Sequence, residues 1–203
     1  MLPRVDARPR HDKCILKPLP LRRILRFIMK IAAAFDLDID QMDVSNAFLQ
    51  AVIPSNEHIF FSYNLGFNQL GRCPRLLRAL YSMKYSPIRW QHYLNRVLQD
   101  IGFQQVSDEG CLISNGRIII LYDADNLATL SPKENRDELD NVRRQLAENF
   151  DIGYFQELEW FLGICVVRVK AARKLWLTQD IYIYLIVPFV ALDSKTVRLT
   201  LSH

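Results

Sequence analysis

The stretch IIILYDADNLATL, residues 118–130, reads as a β-strand, a turn rich in carboxylates and a second β-strand. Two aspartates, Asp123 and Asp125, lie at the tip of this predicted hairpin, with Ala124 between them. Aspartate is common in turns because its side chain accepts hydrogen bonds from nearby backbone amides. Carboxylates are also the oxygen ligands that Mg²⁺ prefers. The stretch therefore fits either an ordinary polar turn or a metal-binding site that has lost a ligand.

The sequence around this stretch predicts further antiparallel strands and a helix. Asn115-Gly116 separates two apolar runs, which is a strong signal for a tight β-hairpin. Beyond the second strand, Ser131 as N-cap and Glu134 as its capping-box partner predict a helix that continues to about Phe150. Two apolar runs within residues 159–179, separated by a charged segment, predict another hairpin.

The chain before residue 104 predicts two helices and one strand. Apolar residues recur at helical spacing from Leu21 to Phe35, with Arg and Lys on the other face. LDIDQMDV, residues 37–44, alternates apolar and acidic side chains and predicts a strand. SPIRWQHYLNRVLQDIGF, residues 86–103, predicts a helix capped by Ser86. Helices interspersed among antiparallel strands predict an α+β fold with the helices packed on one face of the sheet.

The composition predicts one globular domain with a basic N-terminal arm. The chain has 203 residues, of which 50% are hydrophobic and 24% charged, enough to form one sizeable core. The formal net charge is +4, but residues 1–30 contain nine Lys or Arg against two Asp, a local charge of +7. Nucleic-acid contact and a solvated terminus explain this excess equally well. We expect residues 1–18 to be a poorly ordered arm and residues 19–203 to form the domain.

Cysteine and hydropathy patterns restrict the cellular environment. The four cysteines are far apart and form no CxxC pair, which argues against a zinc site or a disulfide framework and favours a reducing compartment. No secretory signal is visible. The longest apolar run, residues 181–192, contains a proline and is too short to span a bilayer. We expect an intracellular protein, cytoplasmic or nuclear, without a membrane segment.

Asp43, at the end of the predicted strand 37–44, is a second acidic position of interest. Carboxylates at strand ends and hairpin tips can converge across a sheet and hold two Mg²⁺ ions, roughly 3.5–4 Å apart. Two such ions clamp the attacking and leaving oxygens of a phosphoryl transfer. Ordinary turn chemistry explains the same acids, and spacing alone favours that structural interpretation.

Four segments occur in an order that is typical of one family. They are QMDVSNAFLQ (41–50), RALYSMKYSPIRW (78–90), IIILYDADNLAT (118–129) and ELEWFLGICVVR (157–168). Together they resemble the reverse transcriptase domain of copia-type LTR retrotransposon Pol polyproteins, whose motifs read Q-M-D-V-x-x-A-F-L, A-L-Y-G-L-K-Q-x-P-R-x-W, Y-V-D-D and F-L-G-I. The resemblance implies an RNA-directed DNA polymerase with a palm-like antiparallel sheet.

The resemblance also implies roles for single positions. Asp43 and Asp125 match catalytic aspartates of the family, which hold Mg²⁺ or Mn²⁺. Four positions match segments that bind the incoming nucleotide, and they are Val44, Phe48, Lys84 and Tyr122. Three positions match the segment that steadies the primer end, and they are Phe161, Leu162 and Gly163. The implied partners are an RNA template, a DNA or RNA primer and deoxynucleotides, while the oligomeric state stays open.

Several positions depart from the family pattern. The first aspartate of Y-V-D-D is replaced by Ala124, which has no metal-binding atom. Neighbouring side chains of a strand point to opposite faces, so we expect Asp123 to face away from the site. Ser82 and Gly153 stand where the family has glycine and lysine, and Ile88 stands where it has arginine.

These departures predict a reverse transcriptase domain that is a catalytically impaired relic copy. The fingers segment of the family is not recognisable in residues 1–18, and we expect neither complete fingers nor a ribonuclease H segment. Two alternatives stay open. One is a non-catalytic palm-like module that binds RNA or a protein partner, and the other is a product without a selected function.

Overall fold

A computed structural model describes residues 21–62, 72–106 and 110–179 of the chain. The predicted arm, residues 1–18, and the apolar run 181–192 lie outside the described residues. Helices α1 to α4 span Leu21–Phe35, Ala47–Gln50, Ser86–Asp100 and Arg136–Asn149. Strands β1 to β9 span Asp38–Val44, Gln104–Gln105, Leu112–Ser114, Ile119–Asp123, Asn126–Ser131, Ile152–Glu157, Trp160–Phe161, Ile164–Val169 and Lys174–Thr178. Short 3₁₀ turns, Lys133–Asn135 and Lys170–Ala172, precede α4 and β9.

Six strands form an antiparallel sheet in the order β2-β3-β4-β5-β1-β6, and β7-β8-β9 form a smaller one. Strand β1 lies between β5 and β6, although it comes first in the sequence. Its acidic end therefore lies beside the tip of the β4–β5 hairpin, where Asp43 is opposite Asn126. The α+β fold predicted from the sequence is confirmed.

One face of the larger sheet packs against α3 and α4. Met42 and Leu127 from the sheet join Leu94 from α3 and Leu146 from α4 in a single buried cluster, the first core. All four side chains are fully buried, and each such burial contributes roughly 1.5–3 kcal/mol. These two helices lie on one face, as the sequence predicted.

The opposite face of the larger sheet is covered by α1 and by the smaller sheet. Ile39 and Leu121 pack there against Met29 of α1 and Ile164 of β8 in a second core. The prediction that the helices pack on one face of the sheet is therefore wrong for α1, which packs on the other face. Both faces of the central strands carry apolar side chains, so an additional layer is needed to remove the second face from water.

The hairpin predicted at Asn115-Gly116 joins β3 to β4. The Asn115 Oδ1 atom accepts hydrogen bonds from the amides of Arg117 (3.0 Å) and Ile118 (2.8 Å), which closes the turn locally. Gly116 has a φ of 87°, in the region that favours glycine. The turn therefore follows from its own two residues.

Both serines predicted to cap helices have other positions. The N-cap of α3 is Tyr85, and Ser86 is buried in the first turn, where its hydroxyl donates to the Leu80 carbonyl at 2.6 Å. Ser131 pairs with Asp38 in the β1–β5 ladder, so strand β5 continues to this residue and α4 begins only at Arg136. Within the described residues, no helix combines the length and apolarity that a membrane crossing requires.

Candidate active site

The end of β1 and the tip of the β4–β5 hairpin lie next to each other and are joined by backbone pairing. The Val44 amide donates a hydrogen bond of 2.9 Å to the Asp125 carbonyl, and Asp43 lies opposite Asn126. Ala124 and Asp125 are the two loop residues between β4 and β5. Asp43 therefore lies on the strand next to the one that follows the turn.

Asp123 lies on the same face of the sheet as Asp43. Asn126 pairs with Asp43 on one side and with Asp123 on the other, and directly opposite residues of neighbouring strands project to the same face. This corrects the expectation that Asp123 faces away from the site. The alternation rule holds within β4, but Ala124 belongs to the turn, so its direction does not define the face of the site.

The three carboxylates at this end of the sheet have no cationic partner among the described residues. Within the part of the chain that the structure describes, no Lys, Arg or His forms an ion pair with Asp43, Asp123 or Asp125. Partial burial raises the pKa of Asp43, and the charge of Asp125 raises it further. The pKa of Asp123 is raised by the same two causes in the same order. The site therefore concentrates negative charge that a bound cation would relieve.

The carboxylates do not form a complete metal cage. Among the described residues, no group of three or more His, Cys, Asp or Glu is arranged to hold a metal ion. Ala124, between Asp123 and Asp125, contributes no oxygen from its side chain. Its backbone is left-handed, with a φ of 49°, which is unfavourable for a residue with a Cβ atom.

A β-bulge in β6 brings two further residues beside Asp43. Val44 pairs with Ile152 and Met42 with Phe155, so Gly153 and Tyr154 together oppose the single residue Asp43. A Cβ atom on Gly153 would lie 3.6 Å from Asp43 Oδ2 and 3.3 Å from Ser45 Oγ, so glycine leaves this approach open.

Tyr154 is a member of the site that the sequence did not reveal. Burial raises the pKa of its phenol, and the charges of Asp43 and Asp125 raise it further, so the hydroxyl stays protonated beside two carboxylates. Tyr154 lies beside Asp43 because of the bulge. The bulge depends on the pairing of β6 with β1, so no local sequence pattern predicts it.

The predicted nucleotide-binding positions occupy three separate segments. Val44 is buried at the end of β1, and Phe48 lies on α2 with its ring centroid 4.8 Å from that of Tyr81. Lys84 is exposed in the loop before α3. In the same loop Ser82 has a φ of 71°, a left-handed conformation that suits the glycine of the family better than serine.

Tyr122 points into the first core, contrary to its predicted role in nucleotide binding. Its hydroxyl lies within hydrogen-bond distance of Asn95 Oδ1 (2.7 Å) and of the Gly110 carbonyl, and it accepts a weak bond from Gln91 Nε2 (3.4 Å). Burial raises the pKa of this phenol. Tyr122 therefore supports the turn from inside, and its hydroxyl does not face the surface that holds Asp43.

The predicted primer segment forms the turn between β7 and β8. Phe161 is buried in the second core, while Leu162 and Gly163 are the two loop residues, with φ values of 55° and 72°. Two successive positive φ values are typical of the tight hairpin turn that joins twisted strands. Only the loop residues present surface to a partner, and Phe161 anchors them.

Comparisons with known proteins identify the family to which the chain belongs. A family model described as reverse transcriptase (RNA-dependent DNA polymerase) matches residues 10–199. The retrovirus-related Pol polyprotein from transposon TNT 1-94 of Nicotiana tabacum is 26% identical over 178 residues, which cover 83% of this chain and 13% of that protein. The corresponding protein from transposon RE1 of Arabidopsis thaliana is 33% identical over 169 residues, 78% of this chain and 11% of that protein.

A more distant similarity extends to yeast. The transposon Ty1-GR1 Gag-Pol polyprotein of Saccharomyces cerevisiae is 28% identical over 110 residues, 53% of this chain and 6% of that protein. The chain thus spans only a small part of the length of each of these relatives. Its carboxylate-bearing strand end and hairpin tip lie inside the matched region, and the chain belongs to the reverse transcriptase family, as a domain of the copia-type transposon Pol polyproteins.

Proposed function

We propose that this reverse transcriptase domain is catalytically impaired. The observation that carries the proposal is the hairpin tip, where Asp125 is bound through its carbonyl to the Val44 amide, next to Asp43, while Ala124 supplies no carboxylate. Reverse transcriptases act on a nucleic-acid template and nucleotides, and they use divalent metal ions. The template, primer and nucleotides of this chain are part of the proposal.

We assign one divalent cation to the pair Asp43 and Asp125. The charge of Asp125, and not that of Asp123, is what raises the pKa of Asp43 beyond the effect of burial, so these two carboxylates are the pair that a cation would relieve. A bound divalent cation offsets the charge that develops on the attacking primer oxygen and the leaving pyrophosphate. Losing several kcal/mol of that stabilisation lowers the rate by orders of magnitude, at about 1.4 kcal/mol per tenfold.

The other resemblance-based roles have unequal structural support. Phe48 lies on α2, and Lys84 lies in the segment that leads to α3. The two segments are joined by a hydrogen bond of 2.9 Å from the Ala79 amide to the Ala51 carbonyl. We assign Phe48 and Lys84 to the nucleotide and the loop of half-buried Leu162 and exposed Gly163 to the primer end. Val44 contributes through its backbone, because its side chain is buried.

The experiment is primer extension by the purified chain on a primed RNA template, with Mg²⁺ and with Mn²⁺. We expect no measurable extension, and we expect Ala124→Asp to bind Mn²⁺ more tightly than the unmodified chain. Asp43→Asn is the matched control for metal-dependent activity. Robust extension by the unmodified chain that is lost in Asp43→Asn would overturn the proposal. If the separate variant Asp123→Ala also lost this extension, Asp123 would be identified as the replacement ligand.

Nucleic-acid binding without catalysis is the second candidate, and α1 favours it. Four cations of this helix are exposed, namely Arg22, Arg23, Arg26 and Lys30. The helix contains no acidic residue, and its apolar side packs into the second core. A fixed row of positive charge on a rigid element suits the phosphate backbone of a nucleic acid.

Salt dependence tests this second candidate. Replacing Arg22, Arg26 and Lys30 by Gln removes three potential phosphate contacts, which for a single strand would lower the salt slope of binding by about 2. The matched control replaces three exposed cations on other elements, which are Arg96, Arg144 and Lys174. An equal change in both variants would show that only net charge matters and that α1 is not the binding surface.

A further inference from the structure

Trp90 of α3 contacts the hairpin tip from the side of the first core. Its indole N–H donates a hydrogen bond of 2.6 Å to the carbonyl oxygen of Ala124. The side chain is 1% exposed. A buried tryptophan needs a partner for its single donor, and this one finds it at the turn between the two carboxylate positions.

The indole has little freedom to turn away from this carbonyl. Its ring packs edge-on against Phe150 and Tyr93, with centroid distances of 5.1 and 6.3 Å and interplanar angles of 71° and 75°. Tyr93 and Phe150 also contact each other at 5.3 Å and 80°. Three mutually packed rings therefore fix the direction of the Trp90 N–H relative to α3 and the end of α4.

The hydrogen bond fixes one of the two peptide planes that flank Asp125. The Ala124 carbonyl belongs to the peptide before Asp125 and accepts from Trp90. The Asp125 carbonyl belongs to the peptide after it and accepts from the Val44 amide at 2.9 Å. With both planes held, the direction of the Asp125 Cα–Cβ bond is set by one side-chain contact from α3 and one backbone contact from β1.

The turn needs such support because its backbone is unfavourable. Ala124 has a φ of 49°, and left-handed conformations of residues other than glycine persist only where the surroundings hold them in place. The Trp90 bond acts on the carbonyl of this same residue.

We propose that Trp90 is a positioning residue for the carboxylate pair: its indole N–H holds the Ala124–Asp125 peptide so that the Asp125 carboxylate and the Asp43 carboxylate converge on one divalent cation. The inference rests on the proposed metal-binding role of that pair. Trp90 itself touches neither metal nor substrate. A group that orients a ligand from behind typically changes metal affinity 10–100-fold when it is removed.

The test compares Trp90→Phe, which keeps an aromatic ring and removes the donor, with Trp176→Phe on an exposed position of β9. Mn²⁺ is titrated into each full-length variant and free Mn²⁺ is followed by electron paramagnetic resonance. We expect binding about tenfold weaker in Trp90→Phe and unchanged in Trp176→Phe. Equal affinity in Trp90→Phe and the unmodified chain would overturn the proposal.

Hydrogen exchange separates this inference from the metal site on which it rests. In Trp90→Phe without metal, the Val44 amide should exchange faster, because its acceptor at Asp125 loses support, while amides in the middle of α3 keep their protection. An unchanged Val44 rate would refute the positioning role whatever the metal result. A different result would be that the unmodified chain binds no Mn²⁺ while Val44 exchange still accelerates in Trp90→Phe. Trp90 would then support the turn without serving a metal site, and this result would also overturn the proposal.

A second variant covers the case in which Trp90→Phe disturbs the core. Incorporating 3-benzothienylalanine at position 90 keeps the bicyclic ring and replaces only the N–H by sulfur. Its thermal unfolding should match that of the unmodified chain more closely than that of Trp90→Phe, while the loss of Mn²⁺ affinity and the faster Val44 exchange persist. Normal affinity in this variant would contradict the role of the donor.

Discussion

The acidic side chains at the two ends of strand β1 differ in whether they form ion pairs. Just before and within its first half, each acid is paired with a cation: Asp36 with Lys133 (2.6 Å), Asp38 with Lys170 (3.4 Å) and Asp40 with Arg136 (2.7 Å). At its last end, Asp43 lies beside Asp125 and on the face that carries Asp123, and no described cation pairs with any of the three.

The pKa values of Asp36 and Asp43, the outermost acids of the two groups, shift in opposite directions. The hydrogen bond from Lys133 lowers the pKa of Asp36, whereas burial and the charge of Asp125 raise the pKa of Asp43. Ionised Asp36 therefore stabilises the fold, whereas ionised Asp43 costs stability that a bound cation would return. Ala124 adds no carboxylate to this last end, so its unrelieved charge comes from Asp43, Asp123 and Asp125 alone among the described residues.

The largest effect is expected where a buried acid loses its cation. Asp40 is 6% exposed, and burial already raises its pKa against the opposing effect of Arg136. Arg136→Gln should lower the free energy of unfolding by about 2 kcal/mol, because it leaves this carboxylate buried without a charge partner. Urea unfolding measures the change.

Arg143→Gln is the matched control for that variant. Arg143 and Arg136 both lie over the Phe155 ring, with the guanidinium carbon 4.5 and 5.2 Å from its centroid, but only Arg136 pairs with Asp40. A loss in Arg143→Gln as large as that in Arg136→Gln would show that ring contact, and not the ion pair, stabilises this end.

A smaller effect is expected when charge is added to the unpaired end. Ala124→Asp should be less stable than Ala124→Asn by about 0.5 kcal/mol at low salt, because it places another carboxylate among like charges. Both side chains tolerate the left-handed backbone of this position, so their difference isolates charge. Thermal unfolding with Mn²⁺ should remove or reverse the difference, and a metal-independent difference would argue against a cation site.

The smallest effects should have opposite signs at the two ends. Because the folded-state pKa of Asp43 is raised, its contribution to stability is full below the ordinary value of 3.8 and is lost as pH rises through the folded pKa. Asp43→Asn should therefore raise the melting temperature at neutral pH and lose this advantage in acid. Asp36→Asn should lower it at neutral pH, since a lowered pKa stabilises the fold only while the group is ionised. The same sign for both variants would contradict the comparison.

Local signals predicted the parts of the fold that depend on neighbouring residues. The turn at Asn115-Gly116 forms from its own side chain and a glycine with positive φ, and α1 follows its apolar stripe from Leu21 to Phe35. Ser131 failed as a helix cap because its partner is Asp38, which lies far away in the sequence. Helix caps and strand ends compete for the same residues, and pairing with a distant strand decides the outcome.

The candidate site divides in the same way. Motifs identified Asp43, Asp125 and the loss at Ala124, because these are statements about residue type. The face of Asp123, the inward direction of Tyr122 and the approach of Tyr154 depend on the register of β1 with β5 and β6. A one-residue bulge reverses the direction of every side chain beyond it, and nothing in the sequence of β6 alone marks its position.

The stoichiometry of Mn²⁺ binding to the unmodified chain tests the central claim most directly. Titration followed by electron paramagnetic resonance should find one site, which disappears in Asp43→Asn, and Ala124→Asp should gain a second. Two sites in the unmodified chain, one of them lost in Asp123→Ala, would show that Asp123 replaces the missing aspartate and that the centre is intact. No site at all would contradict the assignment of Asp43 and Asp125 as a metal-binding pair.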